Sequence, residues 1–422
     1  MDKKQASQRE NSANQYQVSR VDLKGRKNPS KPGAKKKKPW TFKRVMLRIV
    51  VPILLTLVVI LGGAYIGVQQ YKKYLLGKIQ YIPKQENPTF INEEGSVVTL
   101  AQYTSETSAP PVEEEGVHNF LLIGIDSRSK NYTEDGSGSL ADVIMVMSID
   151  NDAGTIKLLT IQRDCYVEIP GYSKLQKINA AMTFGGPELL SVVIENHLRI
   201  QLEGYAYVNF YNMEEVIDAV GGIDMELTKN EVFHSPGGLN ENLREQNRLH
   251  GDPEDKYLLS ESGWQHLNGR QAVAYSRIRS IGNGVYDRTQ RQVNVLNELM
   301  RVFTNLSTTS KLAALDDILG LIATNISPEE IEDYAMDFLP RVRDMQLETM
   351  GIPVEGYSVE GFFNDDIRPG DWSIRCDWNG MVPLVQKYFY GETYDYDPVP
   401  VIPRAPKHDK DGNLIEKGEP GS

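Results

Sequence analysis

Cysteine is almost missing from this chain of 422 residues, which holds two, and tryptophan and histidine are nearly as scarce at four and six. Two cysteines rule out a disulfide-stapled scaffold, and without a CxxC pair they rule out a thiolate zinc site. The histidines form no HExxH or other close pair, so a zinc hydrolase lacks its ligands. Neither GxSxG nor GxxxxGK[ST] occurs, which removes a nucleophile elbow and a P-loop. No segment repeats itself. What remains is ordinary globular material, 40% hydrophobic and 24% charged, enough for one large domain with appendages. Cys165 and Cys376 could pair, stay inert or leave one reactive thiol, and their spacing leaves the three options open.

Charge is lopsided rather than scarce. Residues 1–44 hold 14 Lys and Arg against 3 Asp and Glu, so with a total of −11 everything after Arg44 sums to −22. An acidic body argues against nucleic acid as a partner. The basic tail has a different reason beside it: Ile49 to Val68 reads IVVPILLTLVVILGGAYIGV, 20 residues without a charge. At about 1.5 Å per residue this matches the roughly 30 Å hydrocarbon thickness of a bilayer. Lys35 to Lys38, Lys43, Arg44 and Arg48 precede the run, and only Lys72, Lys73 and Lys78 follow soon after. The positive-inside rule therefore predicts a disordered cytoplasmic tail over 1–44, a single anchor over 45–68 in the cell membrane, and an extracytoplasmic remainder. The small residues Gly62 to Ala64 leave a removed signal peptide as the alternative, but the run is longer than the apolar part of such a peptide.

Proline and acidic residues over 69–117 predict a stalk, and the Pro-, Asp-, Lys- and Gly-rich stretch 393–422 predicts a disordered tail. Between them, 118–392 predicts a catalytic-size α/β domain. Short apolar runs at 119–125, 143–149, 156–161, 205–210 and 345–352 read as strands. Helices fit at 187–197, 213–220, 269–276, 288–303, 311–323 and 328–338, with Pro187 and Glu188 opening the first and Asn212 with Glu215 as a capping pair for the second. Together they predict a three-layer α/β/α sandwich around a mixed sheet. The polar stretch 229–260 reads as a surface insertion.

Charges cluster where these runs end. Strand 119–125 is followed by Asp126 and Arg128, strand 143–149 is preceded by Asp142, and strand 156–161 is followed by Arg163. The turn residues DNDAGT at 150–155 predict a hairpin, which returns Asp142 and Arg163 to one place. Carboxylates suit Mg²⁺ and guanidinium forks suit phosphate, so such a cluster is suited to both at once. In SRIRS, Arg277 and Arg279 stand two apart and would share a side of an extended backbone. In YDRTQRQ, Asp287 reads as an N-cap, with Arg288, Arg291 and Gln292 in the first turns of the helix, where cations oppose the helix dipole. An anion shared among them would explain that placement.

NFLLIGIDSR, ADVIMVMSID, LLTIQRD, KINAAMTFGG, YVNF, VIDAVGGID, HLNGRQAVAYSRIR and DRTQRQ, in this order, resemble the LytR-CpsA-Psr family of bacterial envelope proteins. The likeness covers residues 118–305 and thins out to about 353. It implies a phosphotransferase that moves a phosphate-linked glycopolymer, of teichoic acid or capsule type, from a polyprenyl pyrophosphate carrier to peptidoglycan. Carried over by position, Asp126 and Asp142 are the Mg²⁺ carboxylates. Arg163, Arg277, Arg279, Arg288 and Gln292 bind the pyrophosphate, with Arg128, Asn179 and Arg291 as further members. Arg163, Arg277, Arg279 and Asp126 are the catalytic candidates. Leu140, Gln162 and Val285 depart from the family pattern. A pyrophosphatase on the same lipid, or a non-catalytic polymer-binding regulator, are the rival functions. The lipid slot is expected on the helix at 187–197, with Leu189, Leu190, Val193 and Ile194, together with the one that follows Arg288.

Overall fold

The computed structural model describes residues 51–101, 114–125, 138–282, 285–338, 341, 345–363, 370–409 and 411–420. The chain divides into two units, Met1–Gly67 and Val68–Ser422. Helix α1 (Val51–Leu76) comes first. Among the described residues no helix is long and apolar enough to cross a membrane; the apolar run begins at residue 49, ahead of them.

In chain order there follow β1 (Gln80–Tyr81), β2 (Thr89–Ile91), β3 (Val97–Thr99), β4 (Val117–Ile125), β5 (Ala141–Asp150), β6 (Thr155–Ile161), β7 (Tyr166–Val167), β8 (Gln176–Lys177), α2 (Ala180–Leu198), β9 (Gly204–Asn209), α3 (Phe210–Ala219), β10 (Ile223–Leu227), α4 (Lys229–Phe233) and α5 (Leu239–His250). Then come β11 (Gly263–Leu267), α6 (Gly269–Ser276), α7 (Val285–Asn305), α8 (Thr308–Ile318), β12 (Ala323–Thr324), α9 (Pro328–Phe338), β13 (Gln346–Ile352), β14 (Ser358–Phe363), β15 (Asp371–Cys376), α10 (Trp378–Tyr390), β16 (Lys407–His408) and β17 (Leu414–Glu416).

Seven strands form a mixed sheet in the order β1-β12-β9-β4-β5-β6-β13. The centre is antiparallel, β4 to β5 and β5 to β6, while β9 and β13 join in parallel. β5 is buried along most of its length, as a strand covered on both faces should be. One face carries α2 and α10, where Leu189, Leu190, Val193 and Phe389 pack on Leu121, Ile144 and Leu159. On the other face α3, α5, α6 and α7 pack with the antiparallel β10–β11 pair around Ile217, Leu227, Leu243 and Val273. The central mixed sheet and α/β class agree with the sequence reading.

Four expectations are corrected. The proline-rich segment before residue 118 is not all stalk: β2 and β3 pair as a hairpin, and Phe90 and Leu100 are buried in the main core. The C-terminal stretch is no loose tail. Val399, Ile402 and Ala405 are buried in the same core, β16 pairs with β17, and Asp377 accepts hydrogen bonds from the backbone N–H of His408 (2.7 Å) and of Gly380 (3.0 Å). Its alternating apolar residues, diluted by prolines, reach the core without regular structure. The segment 229–260 is partly core as well, since α5 inserts Leu239 and Leu243. The cap of α3 is Asn209, whose side chain accepts from the N–H of Asn212.

The helix expected at 187–197 starts earlier, at Ala180, and is broken by Gly185 and Gly186. Gly186 takes φ 66° and ψ −163°, which only glycine adopts without strain, and the helix restarts at Pro187. A side chain at Gly185 would meet Phe90 and Leu189 within 3 Å. The GGP triplet thus bends α2 closely around the β2–β3 hairpin.

Candidate functional site

The hairpin register decides the first encounter. β5 and β6 pair as Met145↔Thr160 and Val146↔Leu159, and the same register carried outward sets Asp142 across from Arg163. Asp142 is 7% exposed. Its Oδ1 accepts from Arg163 Nη1, while Oδ2 lies 3.5 Å from Arg279 Nη2. Burial opposes the charge on Arg163, but Asp142 and Asp164 overcome it and raise the guanidinium pKa. Asp164 is held between Arg163 (3.3 Å) and Lys177 (3.2 Å), and Lys177 reaches Asp371 at 3.0 Å.

Arg288, in the first turns of α7, is the outlier of the cluster. It is 2% exposed, and its Nε has no hydrogen-bond partner among the described residues. Its pKa is pushed down to about 10 by burial and then by the positive charges of Arg163 and Arg279, against the pull of Asp142 and Asp164. A buried donor left open costs about 1–3 kcal/mol, more when charged. The cluster thus gathers four cations, Arg163, Lys177, Arg279 and Arg288, against three described carboxylates, Asp142, Asp164 and Asp371, with the Arg279 side chain largely exposed. It is shaped for an added anion.

The other expected residues scatter around this centre. Asn179 caps the start of α2 without a side-chain capping bond and donates its N–H to the carbonyl of Arg163 at 3.3 Å. SRIRS is not extended: α6 runs to Ser276, Arg277 is its C-cap with helical torsions, and its guanidinium lies 5.2 Å over the ring of Phe210. Only Arg279 of the pair reaches Asp142. Arg291 turns away, donating to Glu231 at 3.0 Å and to the carbonyl oxygens of Ile278 and Ile281 at 3.4 and 3.5 Å. Burial works against the Glu231 carboxylate, yet the bonds from Thr228 and Arg291 keep its pKa low. Arg291 thus braces the SRIRS segment rather than joining the cluster. Asp287 lies inside the first turn of α7 instead of capping it. It packs so closely on Gly282, at φ +77°, that a Cβ there would sit 1.5 Å from its carboxylate. Asp126 and Arg128 lie outside the described residues.

Sequence reading missed Lys177 and Thr289. The hydroxyl of Thr289 donates to Gln162 at 3.0 Å, tying α7 to the end of β6. Asp164 next to Arg163 was the available signal for a cation such as Lys177. Both cysteines are free and buried, and the Cys165 thiol pKa is raised by burial and by its neighbour Cys376.

One turn beyond Arg288, Gln292 sits on the wall of an apolar slot of about 210 Å³ between sheet and helices. Val143, Met145, Val208, Val273, Val295 and Leu299 line it. Of the two places expected to offer such a slot, α7 does so, whereas Leu189, Leu190, Val193 and Ile194 of α2 are core. Among the described residues no group of three or more His, Cys, Asp or Glu side chains could hold a metal ion. Asp142, with its Oδ2 only loosely engaged, still suits Mg²⁺, which takes one or two carboxylates and completes its shell with phosphate and water.

The LytR_cpsA_psr family model matches residues 88–367. A "Regulatory protein MsrR" of Staphylococcus aureus is 29% identical over 248 residues, 58% of this chain and 67% of that protein. A "Polyisoprenyl-teichoic acid--peptidoglycan teichoic acid transferase TagU" of Enterococcus faecalis is 29% identical, over 57% of this chain and 73% of that protein. Among solved structures, a Streptococcus agalactiae protein superposes with TM-score 0.54 at 20% identity, covering 68% of this chain and 92% of that one. TagT bound to LI-WTA gives 0.50 at 21% identity over 67% and 96%. The structural likeness supports the fold, and the family match extends across two thirds of the chain, including the β2–β3 hairpin that sequence reading left in the stalk: this chain belongs to the LytR_cpsA_psr family.

Proposed function

We propose that this protein transfers a phosphate-linked wall glycopolymer from a polyprenyl diphosphate carrier to peptidoglycan. The observation that carries the reading is the buried guanidinium of Arg288, whose Nε has no partner among the described residues, beside Arg163 and Arg279 and one helical turn from an apolar slot. A polyprenyl diphosphate has the matching parts, a dianionic head and a long apolar tail. The name of the TagU relative points to the same reaction class.

In this reading Arg163, Arg279 and Arg288 grip the diphosphate, and Arg277 and Gln292 stand where the head passes into the tail. Asp142 and Asp126 would hold Mg²⁺, which supplies charge neutralisation when bound. A peptidoglycan hydroxyl attacks the phosphorus that bears the polymer, the bond to the bridging oxygen breaks, and polyprenyl phosphate leaves, the hydroxyl proton passing to that leaving phosphate or to water. Its growing negative charge is met by the arginines, a contribution that electrostatic preorganisation makes large. The uncharged run at 49–68 would anchor the domain, with the basic tail in the cytoplasm, beside a substrate whose head lies at the membrane surface. Incubation of the full chain with a lipid-linked donor and glycan tests this: polymer joined to the glycan is expected. Release of free polymer phosphate alone would make the protein a pyrophosphatase, and neither product would leave only a binding role.

A further inference from the structure

Helix α7 is amphipathic in an unusual sense, because both of its long sides border open space. Gln292, Val295, Leu296 and Leu299 face the apolar slot. At 3.6 residues per turn, Gln290, Asn294, Asn297 and Arg301 fall on the opposite side. There they line two depressions that follow one another along the same three elements, α7, β6 and β13. The first lies at the cluster end, bordered by Gln162, Thr289, Gln290 and Thr349. The second is a cleft of about 580 Å³ that ends at the antiparallel β10–β11 pair.

That far cleft has a distinctive chemistry. Trp264 is 71% exposed, an expensive position for the largest apolar side chain, whereas Trp378 in the core is 1% exposed. The register of this pair sets Glu226 directly across from Trp264, and Asp224 across from His266. Asp224, Glu226 and Glu298 face the cleft with Arg301, which pairs with Glu298 at 2.5 Å. The Oδ1 of Asn297, another wall residue, is buried without a hydrogen-bond partner among the described residues.

We propose that this polar side of α7 seats the acceptor glycan, an inference that rests on the transfer reading above. An indole face beside carboxylates and amides fits a neutral sugar ring, whose C–H face stacks on the aromatic while its hydroxyls bond the side chains. Three carboxylates against one guanidinium make the cleft repel a polyanionic polymer, so the donor does not belong there. The depressions reach back to Gln162 and Thr289, next to Arg163. Helix α7 thus separates lipid from glycan and brings both to its N-terminal end, where the arginines are. β6 spans seven residues, about 23 Å of strand, room for several rings in a row.

The test uses the detergent-solubilised full chain and the neutral probe chitotetraose, with poly(glycerol phosphate) as the anionic alternative. Indole fluorescence and calorimetry are expected to show chitotetraose binding that weakens about tenfold in Trp264→Ala and less in Trp264→Phe. In the transfer assay Trp264→Ala should raise KM for the glycan and leave polyprenyl diphosphate affinity unchanged. Asn297→Leu gives a second reading should Trp264→Ala fold poorly. Wild-type chain that ignores chitotetraose, or binding unaltered by both substitutions, would overturn the proposal, as would poly(glycerol phosphate) binding that depends on Trp264. Loss of transfer by the unaltered chain would instead sink the function reading, since sugar binding is measured without it.

Discussion

Arg288 is where fold stability and chemistry pull apart. A guanidinium enclosed by protein, repelled by Arg163 and Arg279 and lacking a partner at Nε among the described residues, lowers stability until an anion arrives. Arg288→Met should therefore raise the thermal midpoint by a few degrees, reflecting about 1–3 kcal/mol, while cutting transfer roughly a hundredfold. Melting curves and product assays on the same preparation check both halves; a less stable variant with full transfer would refute the reading. Glu195 shows the opposite kind of tension. Burial raises its pKa to about 7, although the N–H of Leu202 donates to it at 2.9 Å and favours the charged form. A raised carboxyl pKa means stability present below the unfolded value of 4.5 and lost as pH rises through about 7. Glu195→Gln keeps an acceptor for Leu202 but does not ionise. It should melt with the parent at pH 4.5 and above it at pH 8, by at most about 3 kcal/mol. Equal melting temperatures at pH 8 would contradict this.

At the scale of elements, legibility followed locality. The β5–β6 hairpin was readable because DNDAGT is a turn by its own chemistry, and the meeting of Asp142 with Arg163 follows from pairing alone. SRIRS misled, since α6 continues to Ser276 under tertiary packing and leaves Arg277 at its C-cap. The bracing role of Arg291 was invisible for a related reason: its partner Glu231 lies 60 residues away in a stretch that reads as surface. α7 is the element on which slot and cluster both depend. Leu299→Trp should fill the apolar slot, preserve the fold and reduce affinity for a polyprenyl diphosphate at least about tenfold, without changing affinity for inorganic diphosphate. Equal loss for both ligands would mean that the helix moved, and no loss would mean that the tail lies elsewhere.

For the whole molecule, described parts of the segments that composition assigned to stalk and tail prove to belong to the core. Composition failed because it averages: PVPVIP holds enough apolar surface to bury Val399 and Ile402, and its prolines lower the entropy lost on ordering. The segment covers α10 and is tied back through Asp377, which caps that helix and binds His408. Removing residues 393–422 would take Val399, Ile402 and Ala405 out of the main core and leave Asp377 with fewer donors. Burying each large apolar side chain contributes about 1.5–3 kcal/mol, so loss of Val399, Ile402 and their contacts should cost several kcal/mol. The truncated chain should melt well below the parent, by about ten degrees or more, or aggregate. A disordered tail would instead leave melting unchanged. Because α10 backs the sheet face opposite α7, the truncation should lower transfer only through unfolding: activity per folded molecule, measured below the melting range, is expected to match the parent. A selective loss of activity with melting intact would assign the segment to the site instead of to the core.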